Sequence, residues 1–149
     1  MIRGVTLDPV AEVKLRRLAT AAYPHEGCGC LVGRIRDDHA DIVDVTSARN
    51  TWTERARDRY DLDPADLLRA DRDARDRGLD VVGIWHTHPD HPARPSVFDT
   101  ERAWVDYAYL ICSSRADGTG DLNGFALDGE GGKFEQVELV VSEAPAQRP

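Results

Sequence analysis

Lysine is nearly absent from this chain: Lys14 and Lys133 are the two among 19 basic residues, and the rest are arginine. Aromatics are sparse at 7%, methionine occurs once and cysteine three times. An odd cysteine count, with Cys28 and Cys30 two apart, argues against a disulfide framework and fits reduced thiols. No apolar run approaches the roughly 20 residues of a membrane-spanning helix, so a membrane protein is not expected. Basic charge also falls short of acidic charge, 19 against 27, and the formal net charge of −8 speaks against the clustered cationic surface that nucleic-acid binding requires. The arginines are interleaved with aspartate, as in "DRDARDR", which is the pattern of a solvated helix face. The first twenty residues mix Asp8, Glu12, Lys14, Arg16 and Arg17 into their apolar positions. They therefore lack the apolar core of a signal peptide, and the expected location is the cytoplasm.

What is present suits one domain. A chain of 149 residues with 41% hydrophobic and 31% charged residues can bury a core without a disulfide or metal to hold it. Asp8-Pro9 is an N-cap with proline at the first helical position, and Val10, Val13, Leu15, Leu18 and Ala22 follow as an apolar stripe that ends at Tyr23 and Pro24. "CGCLVGRI" predicts a buried strand turning at Asp37 and Asp38, with "HADIVDVTSA" as its hairpin partner. Asp63-Pro64 repeats the cap before a second helix, whose apolar face is Leu67, Leu68, Ala70 and Ala74 and which stops at Gly78. "LDVVGIWHT" is a run of the kind covered on both faces of a sheet. Ser96 opens a third, short helix, "YAYLICSS" is a further buried strand, and "GFALDGEGGKFEQVELVV" predicts a closing hairpin that turns at Gly129 to Gly132. Together these predict a single α/β domain over residues 1–141, with a mixed, partly antiparallel sheet packed against helices. Residues 142–149 are expected to form a disordered tail.

The chemistry is concentrated in "WHTHPDHPARPSVFD", residues 85–99. Side chains at i and i+2 of a strand share a face, so His86 and His88 project together, and Pro89 stops the ladder after them. Two satisfied histidines at a strand end would be the plain alternative. "HTHPDH" also matches the His-x-His-x-Asp-His pattern of the metallo-β-lactamase fold. That site needs a further histidine well downstream, and none follows His91. Asp99 offers a different third ligand, since Ser96-x-x-Asp99 begins a helix and places both side chains on its first turn. The pair is equally a capping box when taken alone. Beside His86 and His88 it completes two imidazoles and one carboxylate, the set that leaves a fourth position open in catalytic zinc sites.

"EGCGCLVG" at 26–33, "HTHP" at 86–89, then Ser96 and Asp99 resemble the motif of the JAMM (MPN+) metalloprotease family, and the chain is similar to its compact prokaryotic members from about Val5 to Val141. "YDLDP" before the second helix and "VVGIWHTHPD" after it extend the likeness. The resemblance implies the MPN/JAB fold, which is cytidine-deaminase-like. It also implies one Zn2+ per chain held by His86, His88 and Asp99, with Glu26 as the acid/base acting on water and Ser96 stabilising the oxyanion. Without the family, Glu26 does not stand out from Glu54 or Glu101. Thr87 and Trp85 point to the opposite strand face, where packing or support of the ligands is expected. Asp90 and His91 are expected to be exposed loop residues, His91 within reach of substrate at most. Cys28 and Cys30 as a second, structural zinc pair would need two more ligands, so buried strand residues are the preferred reading. Cys28 lies close after Glu26, and its oxidation is expected to affect activity.

The resemblance further implies hydrolysis after the carboxyl-terminal tail of a ubiquitin-like protein, which would pair with a strand-lined groove. The segments near Asn50 to Arg59 and Arg115 to Gly120 are short, as in the compact type. Two substrates stay open: a sulfur-carrier protein extended by an amino acid, toward which the composition leans, and a small archaeal-type modifier on lysine side chains. A non-catalytic MPN scaffold is the alternative from another class. The oligomeric state is open, a homodimer included.

Overall fold

The chain runs β1 (Gly4–Leu7), α1 (Pro9–Ala22), β2 (Cys28–Arg36), β3 (His39–Val45), α2 (Pro64–Asp76), β4 (Asp80–Pro89), α3 (Val97–Glu101), β5 (Ala108–Arg115), β6 (Gly118–Asp128) and β7 (Lys133–Val141). This is a computed structural model, and it describes residues 1–51, 60–101, 103–129 and 132–143. Residues 144–149 of the expected tail, and 52–59 of the expected short segment with Glu54, lie outside the described residues. Among the described residues no helix is long and apolar enough to cross a membrane.

The strands close into a barrel in the order β1-β3-β2-β4-β5-β6-β7. β2 and β3 form the expected antiparallel hairpin, with Asp37 in the left-handed region at the turn. β4 lies in the middle, antiparallel to β2 and parallel to β5. The turn between β5 and β6 is tight, so β6 begins at Gly118, ahead of the Gly124 expected from the closing hairpin. β1, with four residues, was not evident from the sequence pattern. It pairs in parallel with both β3 and β7, and that double pairing closes the sheet. β2 approaches the chain after β3 so closely that a Cβ on Gly29 would collide with the Thr46 carbonyl, which explains a glycine inside a buried strand.

Both caps form as the sequence predicts. Asp8 accepts from Val10 N at 2.9 Å and Asp63 from Ala65 N at 2.8 Å, each with proline at the start of the helix. The apolar stripe of α1 needs correction. The buried residues are Ala11, Leu15 and Ala19, with Leu18 half-buried, whereas Val10 and Val13 are 77% and 64% exposed. At about 100° per residue, Val13 stands some 160° from Leu15 and cannot share its face. On α2 the alanines Ala70 and Ala74 are buried, Ala74 against Val32 and Leu79, and Leu68 is exposed. Small residues at those positions let the helix lie close to the β2–β4 surface.

Candidate metal centre

β4 ends in the site. Burial of both its faces leaves His86 1% exposed and His88 8% exposed, projecting side by side. Their Nε2 atoms lie 3.2 Å apart. Trp85 and Thr87 face the other way: Trp85 Nε1 donates to the Thr46 carbonyl at 2.8 Å, and Thr87 is fully buried.

Glu26 reaches this point through strand register. Cys28 pairs with His86 across the β2–β4 ladder, so the residues just before Cys28 run alongside the end of β4. Thr87 N donates to the Gly27 carbonyl at 3.0 Å, and Gly27 N donates to Thr87 Oγ1 at 2.8 Å. This double clamp gives Thr87 the supporting role expected of it. Asn50, whose part the sequence did not signal, donates from Nδ2 to the Glu26 carbonyl at 3.3 Å. Glu26 is thereby held 4% exposed.

Asp99 returns from the far side of a proline-rich loop. The loop is pinned to the barrel where Asp90 N donates to the Ser114 carbonyl at 2.7 Å and Asn123 Nδ2 to the Ala93 carbonyl at 3.1 Å. Asp90 is exposed but ordered by Tyr23, whose hydroxyl contacts both its carboxylate oxygens. His91 is exposed, as expected, and lines the cleft beside the site. Ser96 and Asp99 form the capping box: Asp99 N donates to Ser96 Oγ at 3.1 Å, and Ser96 N donates to Asp99 Oδ2 at 2.9 Å. The cap does not compete with the cluster, because the same Asp99 Oδ2 also lies 3.2 Å from His86 Nε2 and 3.0 Å from His88 Nε2.

The three donor atoms therefore form a triangle with sides of 3.0, 3.2 and 3.2 Å. Tetrahedral zinc with bonds of 2.0–2.1 Å requires ligand separations of about 3.3–3.4 Å, so the residues fit the metal to within a few tenths of an ångström. His88 Nδ1 donates to the Pro92 carbonyl at 3.0 Å, which leaves the Nε2 lone pair facing inward. Burial opposes ionisation of Asp99, but contacts with His86 and His88 outweigh it and hold the carboxyl well below the ordinary range. Burial likewise lowers the pKa of His86, and the Asp99 carboxylate only partly offsets it. A neutral imidazole beside an ionised carboxylate is the protonation state in which both bind a cation. With Glu26 the group has four members, their candidate donor atoms all within 4.8 Å. Among the described residues no cysteine belongs to such a group. Cys28 and Cys30 are buried strand residues, as preferred from the sequence.

The cleft in front of the triangle holds about 530 Å³ and is lined by Glu26, His88, His91, Arg94 and Ser96 among prolines. Two buried histidines and a carboxylate, with a second carboxylate beside them at the mouth of a cleft, make the donor set expected of a metal-dependent hydrolase. The model of prokaryotic homologs of the JAB domain matches residues 9–125, and the chain belongs to that family. A desampylase from Haloferax volcanii is 37% identical over 127 residues, covering 85% of this chain and 85% of the relative. A desampylase from Pyrococcus furiosus is 30% identical over 118 residues, 78% of this chain and 76% of the relative. Among solved structures, a protein from Desulfitobacterium hafniense superposes with a TM-score of 0.81 at 28% identity, over 93% of each chain. One from Salinibacter ruber gives 0.73 at 35% identity, over 97% of this chain and 94% of the other. The protein is a JAMM-type hydrolase.

Proposed function

We propose that the protein is a zinc-dependent isopeptidase that removes a small ubiquitin-like modifier from lysine side chains. The triangle formed by His86, His88 and Asp99 is the observation that carries the metal. The two desampylase relatives tip the substrate from a sulfur-carrier extension, toward which composition leaned, to a lysine-linked modifier. Bound zinc supplies a Lewis acid for the scissile carbonyl and lowers the pKa of water to about 7. Glu26, buried beside the triangle, takes a proton from the attacking water and returns it to the leaving lysine amine. Ser96 Oγ accepts from Asp99 N, so its own proton remains to be donated to the oxygen that becomes negative. The cleft is walled by Pro89, Pro92 and Pro95, a rigid apolar lining that suits an extended tail.

Glu26→Gln is expected to lower hydrolysis by at least 10²–10⁴-fold, on the order of a lost general base, while zinc content stays at one per chain. The measurement pairs metal analysis with cleavage of a lysine-linked ubiquitin-like conjugate and of the same modifier with a linear extension. Cleavage of the linear substrate alone returns the sulfur-carrier reading. Full zinc loading with cleavage of neither leaves a binding scaffold. Zinc retained by both His86→Ala and Asp99→Ala overturns the ligand set.

A further inference from the structure

The two histidines of the centre are held in different ways. His88 is fixed by its hydrogen bond to the Pro92 carbonyl, which sets both tautomer and ring plane. His86 Nδ1 is buried and has no hydrogen-bond partner among the described residues. A metal-binding imidazole almost always donates that N–H to an oxygen, so an alternative restraint is required. The ring of Tyr60 supplies one. It stacks on His86 with centroids 4.4 Å apart and planes inclined by 20°.

Tyr60 is itself well anchored. It is 6% exposed and opens the "YDLDP" stretch. Asp61 N donates to Asn50 Oδ1 at 2.9 Å, Thr51 N donates to the Asp61 carbonyl at 2.8 Å, and Leu62 bridges to Asn50. Asp63 then caps α2. The ring position is thus set by backbone bonds immediately after it. Asn50 in turn bonds the Glu26 carbonyl, so the bridge between Asn50 and the residues just after Tyr60 links the candidate base to a candidate ligand.

We propose that Tyr60 is a positioning residue for His86, its ring face restraining the imidazole as the Pro92 carbonyl restrains His88. This rests on the reading of His86, His88 and Asp99 as the zinc ligands. Rotation of the His86 ring about its Cβ–Cγ bond would carry Nε2 away from the point it shares with Asp99 and His88, and a near-parallel neighbour blocks that rotation. The restraint depends on the aromatic face and not on the hydroxyl. Phenylalanine therefore retains it, whereas an aliphatic side chain of similar volume fills the space without a flat surface.

The test is a competition titration of zinc against a chromophoric chelator, with wild type, Tyr60→Phe, Tyr60→Leu and Tyr60→Met, alongside thermal unfolding of each in EDTA. Tyr60→Phe is expected to bind zinc within about twofold of wild type. Tyr60→Leu and Tyr60→Met are expected to bind 10–100-fold more weakly, on the order seen when a ligand's orienting partner is lost. Their metal-free unfolding should stay close to that of Tyr60→Phe, and at saturating zinc KM should be unchanged. Aliphatic variants that bind zinc as tightly as wild type overturn the proposal. So does failure of both to fold in the presence of zinc, or a Phe variant as weak as the Leu variant. A wild-type chain that takes up no zinc overturns the zinc reading itself, and the proposal with it.

Discussion

At the scale of single residues, the candidate ligands were legible as a group because their spacing is local. His86 and His88 are two apart on one strand, Ser96 and Asp99 three apart on one helical turn, and both spacings translate directly into shared faces. Glu26 was legible only through family resemblance, since its approach depends on β2–β4 register across many intervening residues. Tyr60 entered only as part of "YDLDP" and Asn50 only as the edge of a short segment, and neither role was indicated, because stacking and carbonyl capping leave no periodicity. Cys28 is less accessible than its place close after Glu26 suggests. It lies two residues after Glu26, yet it is 1% exposed, and burial, with Cys30 and Glu26 adding to it, pushes its thiol up to about 12. Burial raises Cys30 and Cys112 to about 11. The thiolate is the reactive form, so the folded protein should show no thiol titratable by a chromogenic disulfide at pH 7.5, and three after unfolding in guanidinium. Rapid reaction of one thiol in the native state, lost in Cys28→Ser, would support the expected redox sensitivity of Cys28.

At the scale of elements, capped helices and the β2–β3 hairpin followed from turn chemistry, whereas helix faces did not. Valine at 10 and 13 gave α1 an apparent stripe, but the closely packed side uses Ala11 and Ala19 around Leu15. One ionic group ties both helices to the sheet. Asp44 on β3 accepts from Lys14 Nζ of α1 at 3.0 Å, from Val45 N at 2.8 Å and from Arg77 Nη1, just past α2, at 2.9 Å. Burial opposes its ionisation, but these bonds prevail and lower its pKa. A carboxylate depressed in the folded state adds stability above its unfolded pKa, and that stability is lost as pH falls through the folded value. Asp44→Asn should thus cost about 1 kcal/mol at pH 7, a figure kept small because the side chain is partly solvated. Urea unfolding of both proteins should show the difference shrinking below pH 4. A difference that persists undiminished at pH 2 would assign the effect to geometry instead of charge.

At the scale of the whole molecule, the sequence pattern predicted a mixed sheet but not its closure. β1 is too short to show alternation, and its partners β3 and β7 come from the middle and the end of the chain. Closure nevertheless determines how metal and fold should be coupled. The main cluster joins Val5 and Leu7 of β1 to Leu15, Ile42, Trp85, Leu110 and Val137, residues spread over the chain, and none of the candidate ligands belongs to it. That core is complete without the metal centre, so chelation should leave the protein folded. The ligands, by contrast, converge only in the native state, because β4 and the loop carrying Asp99 must both be in place. Zinc at the proposed site should therefore bind the folded chain in preference to the unfolded one and stabilise it by about 2.7 kcal/mol at a hundredfold excess over Kd. For a chain of this size that is a rise in Tm of roughly 5–10 °C. Thermal unfolding followed by circular dichroism should give one cooperative transition in EDTA and the same transition shifted upward in zinc. The shift should disappear in His88→Ala. Loss of the native far-ultraviolet spectrum in EDTA at 25 °C would instead make the metal a structural element, and the cluster around β1 insufficient to hold the barrel closed.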